Sequence, residues 1–134
     1  MRIVVDTNVL VAALLSPHGP PAAILRLILS DQLIVCFDAR ILDAYRTVLA
    51  RPRFTFDEQR IREVLAYLEA TGEQIDAPPL RLKLPDPDDA MFIEVALAGS
   101  ADYLISGNLK HFPARQCAGI SLASPREFID QAAL

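Results

Sequence analysis

The chain lacks several features that define common classes of protein. It has no tryptophan and only two cysteines, Cys36 and Cys117, among 134 residues. The cysteines lie far apart with no CxxC pair, which excludes a cysteine-based zinc site and a dense disulfide framework. We therefore expect two reduced, chemically inert thiols, as in a cytoplasmic protein.

Long apolar runs are also missing. The longest one is far too short to cross a bilayer, so no membrane partner is expected. Asp6 and Asn8 interrupt the first hydrophobic run, and no clean cleavage site follows it, so the N-terminus does not fit a signal peptide. These features predict a cytoplasmic location.

Basic residues are too few for a protein that holds nucleic acid by bulk positive charge. The net charge is −4 and the pI is about 5.1. The composition is 52% hydrophobic and 22% charged, which excludes a disordered chain and predicts one globular domain over 1–134. An enzyme that binds a cation with carboxylates and then acts on a polyanion remains compatible with this balance.

Short apolar segments alternate with segments of helical periodicity. The predicted strands are RIVVD, QLIVCF, DYLIS and GISLAS. The predicted helices are NVLVAALL, AAILRLILS, ARILDAYRTVLA, DEQRIREVLAYLEATG, AMFIEVALAG and SPREFIDQAA. Between them DAPPLRLKLPDPDD predicts a loop with at most a short strand. The alternation indicates a three-layer α/β/α sandwich with a mainly parallel sheet of about five strands.

Several polar residues fit helix starts. Asp38, Asp57 and Ser124 are expected caps, and Asp6 or Thr7 can cap the first helix. The two histidines, His18 and His111, lie in predicted loops, where we expect ordinary surface or capping roles.

Other polar residues follow the predicted strands. In parallel sheets, ligands bind beyond the carboxyl ends of the strands, so side chains that leave neighbouring strands converge there. Asp86, Asp88 and Asp89 precede the helix before the DYLIS strand, and three acids in four residues exceed what capping needs. The residues that leave the strands are Asp6, Thr7, Asn8, Asp38, Ser106, Gly107 and Asn108.

Converging carboxylates repel one another unless a cation offsets their charge. Mg²⁺ prefers oxygen ligands, and a divalent ion held there can activate water and bind a phosphodiester. The sequence contains no HExxH, P-loop, GxGxxG or serine-nucleophile motif. Metal-dependent phosphodiester hydrolysis is therefore the chemistry these residues favour. An aspartyl nucleophile at Asp6 is an alternative, but Asn8 stands where a second aspartate is usual.

Four segments together resemble the PIN domain, and more narrowly the VapC-like toxins of bacterial toxin–antitoxin systems. They are VVDTNVLVAALLSPHGPP, ILDAYRTVLARPRF, DPDDAMFIEVALAGSADYLISGNLKHFP and SPREFI. The resemblance implies a parallel-sheet α/β fold, a Mg²⁺ or Mn²⁺ site, and endonuclease action on RNA. It also implies a cognate antitoxin as partner and a homodimer.

The resemblance assigns site residues one by one. Asp6 matches the first acid of the family, and Asp89 best matches the acid at the start of the later helix, with Asp86 and Asp88 as alternates. Asn108 matches a position where the family often carries Asp and some members carry Asn. The expected catalytic residues are thus Asp6, Asp89 and Asn108, the metal ligands Asp6, Asp89, Asp86 and Asp88, and the supporting residues Thr7, Asn8 and Ser106.

One position departs from the pattern. Ala44 stands where the family usually has Glu, in the helix after the second strand. Asp43 is adjacent, but one residue turns a helix by about 100°, so its side chain is expected to point elsewhere. A weakened nuclease and a non-catalytic PIN domain that binds an antitoxin or RNA are both compatible with this change.

Overall fold

The computed structural model describes residues 1–117 and 119–132, which form a five-stranded parallel sheet and six α-helices. The strands are β1 (Arg2–Val5), β2 (Ile34–Phe37), β3 (Glu73–Gln74), β4 (Tyr103–Ile105) and β5 (Leu122–Ala123). The helices are α1 (Thr7–Leu15), α2 (Pro20–Leu29), α3 (Ala39–Leu49), α4 (Glu58–Thr71), α5 (Ala90–Ala98) and α6 (Pro125–Gln131). The predicted α/β fold is confirmed.

The strand order is β3-β2-β1-β4-β5, so β1 lies at the centre. Three consecutive residues of β1, Ile3, Val4 and Val5, are each at most 1% exposed. Because successive side chains of a strand point to opposite faces, this burial requires cover on both faces of the sheet. The carboxyl ends of β1 and β4, which pair in parallel, therefore meet at one edge.

The helices begin where the sequence predicts. Asp38 accepts a hydrogen bond from the backbone N–H of Ile41 at the start of α3, and Asp57 accepts one from Gln59 at the start of α4. Ser124 and Glu127 form the predicted capping box of α6. Each cap satisfies backbone donors that the first helical turn leaves unpaired.

The core fixes α3 against the central strand. The phenol of Tyr45 is 1% exposed, and its hydroxyl donates to the backbone carbonyl of Val5 at the end of β1. The cysteines Cys36 and Cys117 are both free and buried, as expected, and burial raises the pKa of each thiol.

The short edge strand differs from the prediction. The loop expected over 76–89 contains no strand; instead β3 precedes it and pairs with β2 through Cys36 and Phe37. Arg2 on β1 forms an ion pair with Glu73 and also donates to the carbonyl of Gly99. Two polar residues give no apolar pattern, and this strand is defined by its backbone pairing and by that ion pair.

Within the described residues, no single helix is long and apolar enough to span a membrane, whereas α1 and α2 reach that length and composition only as a pair bent by 100°. Both helices contribute buried apolar side chains to the core.

Candidate metal and nuclease site

The site begins at the carboxyl end of β1. The Asp6 side chain is only 7% exposed, and its Oδ2 accepts a hydrogen bond of 2.7 Å from Ser106 Oγ. Asp6 occupies the N-cap position of α1, but its side chain makes no capping hydrogen bond, and Thr7 is already the first helical residue. Asp6 therefore takes the predicted cap position, but its carboxylate accepts from Ser106 instead of making the expected side-chain cap.

The end of β4 closes onto the end of β1. Ser106 is fully buried, and its Oγ accepts a 2.9 Å hydrogen bond from the backbone N–H of Asn108. The backbone N–H of Gly107 donates to Asn8 Oδ1 at 3.0 Å. The side chains of Asp6, Asn8 and Ser106 are therefore brought to the turn after β4, where Asn108 contacts Ser106 through its backbone, because the two strands are adjacent and parallel.

The three acids before α5, Asp86, Asp88 and Asp89, have different surroundings. Asp86 Oδ1 accepts a hydrogen bond of 3.0 Å from the backbone N–H of Asp88, which caps a 3-10 turn over Pro87–Asp89. Asp88 is exposed, whereas the Asp89 side chain is only 13% exposed. Asp89 is thus the member of the trio that lies against the rest of the site.

His111 connects Asp89 to Asn108. Its Nδ1 lies 3.0 Å from Asp89 Oδ2, and its Nε2 lies 3.0 Å from Asn108 Nδ2. Since an amide nitrogen only donates, Nε2 accepts and Nδ1–H donates to Asp89. These contacts of His111, whose side chain is 38% exposed, are not foreseen from the sequence, whereas His18 is exposed as expected. The missed signal is the Asn-x-x-His spacing, which places both side chains on one 3-10 turn.

The resulting network links the two principal carboxylates. It runs from Asp6 through Ser106 to Asn108, and from Asn108 through His111 to Asp89. Burial is the main cause that raises the pKa of Asp6, and the hydrogen bond from Ser106 opposes it. Burial, followed by the charges of Asp6 and Asp86, raises the pKa of Asp89 to about 6. Burial therefore disfavours the charged form of both carboxyl groups, and the neighbouring charges add to this effect at Asp89.

These donors fit a divalent metal ion. One potential ligand atom from each of Asp86, Asp89 and His111 lies within 4.8 Å of the other two. Carboxylate oxygen and imidazole nitrogen are both common metal ligands. A bound cation relieves the repulsion between the like charges of neighbouring carboxylates.

On α3, the position of Ala44 is half-buried and Asp43 is exposed. The exposed side chain fits the expectation that Asp43 does not replace the missing carboxylate. The predicted α3 cap, Asp38, is engaged by Arg40, whose guanidinium nitrogen lies 2.7 Å from Asp38 Oδ2.

A buried carboxylate on α5 was not among the predicted residues. Glu94 is 3% exposed; it pairs with Arg40 at 2.7 Å and accepts a 2.6 Å hydrogen bond from the backbone N–H of Leu80. It thereby ties α3 and α5 to the loop that leads into Asp86. The signal that could have found it is a single carboxylate within the otherwise apolar segment AMFIEVALA.

Comparison with known proteins gives the family. The family model described as PIN domain matches residues 2–110. An uncharacterized protein of Methanocaldococcus jannaschii is 25% identical over 141 aligned residues, which cover 98% of this chain and 91% of that protein.

Solved structures share the fold. VapBC2 from Rickettsia felis, crystallised bound to a DNA fragment from its promoter, superposes with a TM-score of 0.60 at 16% identity. FitAcB from Neisseria gonorrhoeae superposes with a TM-score of 0.57 at 14% identity. Each match covers 92% of this chain and 98% of the other.

The chain belongs to the PIN-domain family, as its sequence motifs indicate. PIN domains are in general nucleases that use a divalent metal ion.

Proposed function

We propose that this protein is a PIN-type endoribonuclease that depends on Mg²⁺ or Mn²⁺ and serves as the toxin of a toxin–antitoxin pair. The observation that carries the proposal is the network that joins Asp6 to Asp89 through Ser106, Asn108 and His111. It brings the buried carboxylate of Asp6 and the half-buried carboxylate of Asp89 to the carboxyl ends of the strands, where α/β proteins bind their ligands.

The chain's own residues have distinct roles in this proposal. Asp6 and Asp89 hold the ion, and Asp86 or Asp88 adds a further oxygen. Ser106 keeps the Asp6 carboxylate in one orientation, and Asn8 holds the turn after β4 through Gly107. Asn108 positions His111 and offers an amide to water or phosphate. When bound, a divalent ion lowers the pKa of water and stabilises the charge that develops on phosphate.

A non-catalytic PIN domain that binds an antitoxin or RNA is the second candidate. The observation that favours it is the absence of two family carboxylates, at Ala44 and Asn108. Asp43 is exposed, and so does not offer the site a substitute. Under this alternative the fold and the network remain, but no divalent-dependent cleavage occurs.

The proposed partners are RNA as substrate, a cognate antitoxin protein and a second copy of the chain. The family and the fold shared with VapBC2 support the antitoxin. A small protein encoded beside this gene that co-purifies with the chain is the expected observation. The homodimer predicts twice the monomer mass of 14.7 kDa by light scattering at micromolar concentration, and a monomer mass would exclude it.

The decisive experiment is cleavage of a mixed single-stranded RNA. We expect cleavage with Mg²⁺ or Mn²⁺, none with EDTA, and a loss of at least about a hundredfold in Asp6→Asn, which removes a metal-binding charge. Asp130→Asn, a change at an exposed residue of α6, is the matched control and keeps full activity. No cleavage by the wild-type chain under any metal would favour the non-catalytic alternative.

A further inference from the structure

His111 supplies the site with a nitrogen donor that the family assignment did not include. We propose that His111 Nδ1 is a direct ligand of the metal ion, in addition to the carboxylates of the proposed site, and that the site consequently selects Mn²⁺ over Mg²⁺. This inference rests on the proposed metal-dependent function. It adds a ligand and a metal preference to it.

The separation of the two nearest donors suits one ion. His111 Nδ1 and Asp89 Oδ2 lie 3.0 Å apart. Two adjacent ligands of an octahedral ion, each at about 2.1 Å, are separated by about 3.0 Å. An ion can therefore replace the hydrogen bond between these atoms with little movement of either side chain. Asp86 also offers a carboxylate oxygen within 4.8 Å of a ligand atom of each of these two residues, so it can supply a third ligand.

Asn108 fits both states of the imidazole. Without metal, Asn108 Nδ2 donates to His111 Nε2, and Nδ1–H donates to Asp89. When Nδ1 binds an ion, the neutral ring carries its proton on Nε2 instead. Rotation of the amide by 180° then presents Oδ1 as the acceptor, with no change in the number of protons bound. An amide serves both arrangements, whereas a carboxylate serves only the second.

The donor set determines which ion is preferred. Mg²⁺ takes oxygen ligands almost exclusively, whereas imidazole nitrogen favours first-row transition ions. In this chain two of the family's carboxylate positions are occupied by Ala44 and Asn108, so oxygen ligands are fewer. The nitrogen of His111 therefore contributes strongly to the affinity of the site for a metal ion, and it raises the affinity for Mn²⁺ more than the affinity for Mg²⁺.

The test measures metal binding to the full chain in the absence of RNA. Mn²⁺ is titrated and its free form followed by electron paramagnetic resonance, with Mg²⁺ added as competitor. Pulsed measurements on bound Mn²⁺ detect a directly coordinated nitrogen. The variants are His111→Gln, whose amide keeps a hydrogen-bond donor beside Asp89, and Asp89→Asn. His18→Gln is the matched control, because His18 is the other histidine of the chain and is exposed.

We expect wild type and His18→Gln to bind Mn²⁺ at least about tenfold more tightly than Mg²⁺, with a nitrogen coupling on bound Mn²⁺. His111→Gln loses that coupling and about tenfold in Mn²⁺ affinity, while Mg²⁺ affinity changes by less than about threefold. Circular dichroism verifies the fold of each variant. A nitrogen coupling retained in His18→Gln, which leaves His111 as the remaining histidine, is decisive even if His111→Gln fails to fold.

The outcomes separate this inference from the proposed function. Bound Mn²⁺ without nitrogen coupling in wild type, or an unchanged Mn²⁺ to Mg²⁺ ratio in a folded His111→Gln, overturns the role of His111. If Asp89→Asn abolishes binding in that case, the proposed metal site stands without the histidine. If wild type binds neither ion, both proposals fail.

Discussion

The carboxylate of Asp6 and the hydroxyl of Ser106 are separated by 100 residues in sequence and by 2.7 Å in the folded protein. Both side chains are buried, and their hydrogen bond joins the carboxyl ends of β1 and β4. A buried carboxylate is costly unless hydrogen bonds or charges satisfy it. The position of Asp6 therefore depends on a residue late in the chain.

Ser106→Ala removes the hydrogen bond of the Ser106 hydroxyl to the buried Asp6 carboxylate. We expect the free energy of unfolding at pH 7.5 to fall by about 2 kcal/mol, because a buried carboxylate loses a donor and the backbone N–H of Asn108 loses its acceptor. Urea denaturation measures the change. Ser121→Ala, at an exposed position beside β5, is the control and should stay within about 0.5 kcal/mol of wild type. If both variants lose the same free energy of unfolding, the hydrogen bond between Ser106 and Asp6 does not stabilise the protein more than an exposed serine does.

Asp89 predicts an unusual pH dependence of stability. Its pKa is raised to about 6 in the folded protein from 3.8, so the folded state binds more protons between these values. The contribution of Asp89 to stability is therefore fully present below about pH 4 and is lost as the pH rises through about 6. Asp89→Asn should stabilise the protein by about 1 kcal/mol at pH 7.5 in EDTA and have little effect near pH 4. Urea denaturation at both pH values measures this, and a variant less stable than wild type at pH 7.5 contradicts the prediction.

Ala44→Glu restores the acid that the family usually carries on α3. We expect divalent-dependent RNA cleavage to rise at least about tenfold, because the added carboxylate supplies a ligand or orients water. Ala44→Gln has nearly the same size without the charge and should show no such gain. An equal rate in Ala44→Glu and wild type, measured with saturating Mn²⁺, would mean that the site does not use a carboxylate from this position.

Glu94→Gln tests the link between α5 and the loop before Asp86. The neutral amide weakens the pairing with the guanidinium of Arg40, so we expect a loss of about 2 kcal/mol in the free energy of unfolding. The loop should also become more accessible, and trypsin should cleave faster after Arg81 and Lys83, which are exposed there. Glu69→Gln, at an exposed position of α4, is the control. If Glu94→Gln is destabilised but trypsin cleaves it no faster than wild type, the Glu94–Arg40 pair does not hold the loop before Asp86 in place.

The sequence predicts the elements that bury many apolar side chains. The six helices and four of the five strands lie where periodicity and caps place them, because hydrophobic patterning and capping are local signals. β3 escapes prediction because Glu73 and Gln74 carry no apolar pattern, and their pairing depends on β2 and on Arg2.

The site is predictable only in part, for a physical reason. Strand exits place Asp6, Asn8, Ser106 and Asn108 at one edge, since parallel neighbours share that edge. The pairing of His111 with Asp89 depends on side-chain orientation across 22 residues, which no local pattern reports. The same holds for Asp6, whose hydrogen bond to Ser106 replaces the expected helix cap.

The central position of β1 determines when the site can exist during synthesis. A nascent chain that ends before β4 contains Asp6 and Asp89 but neither Ser106 nor His111, and its first strand lacks one of its two neighbours. Asp6 and Asp89 therefore lack their hydrogen-bond partners until β4 and the turn that carries His111 have left the ribosome and β4 has paired with β1. The proposed nuclease would then be unable to cleave the RNA around it until β4 has paired with β1.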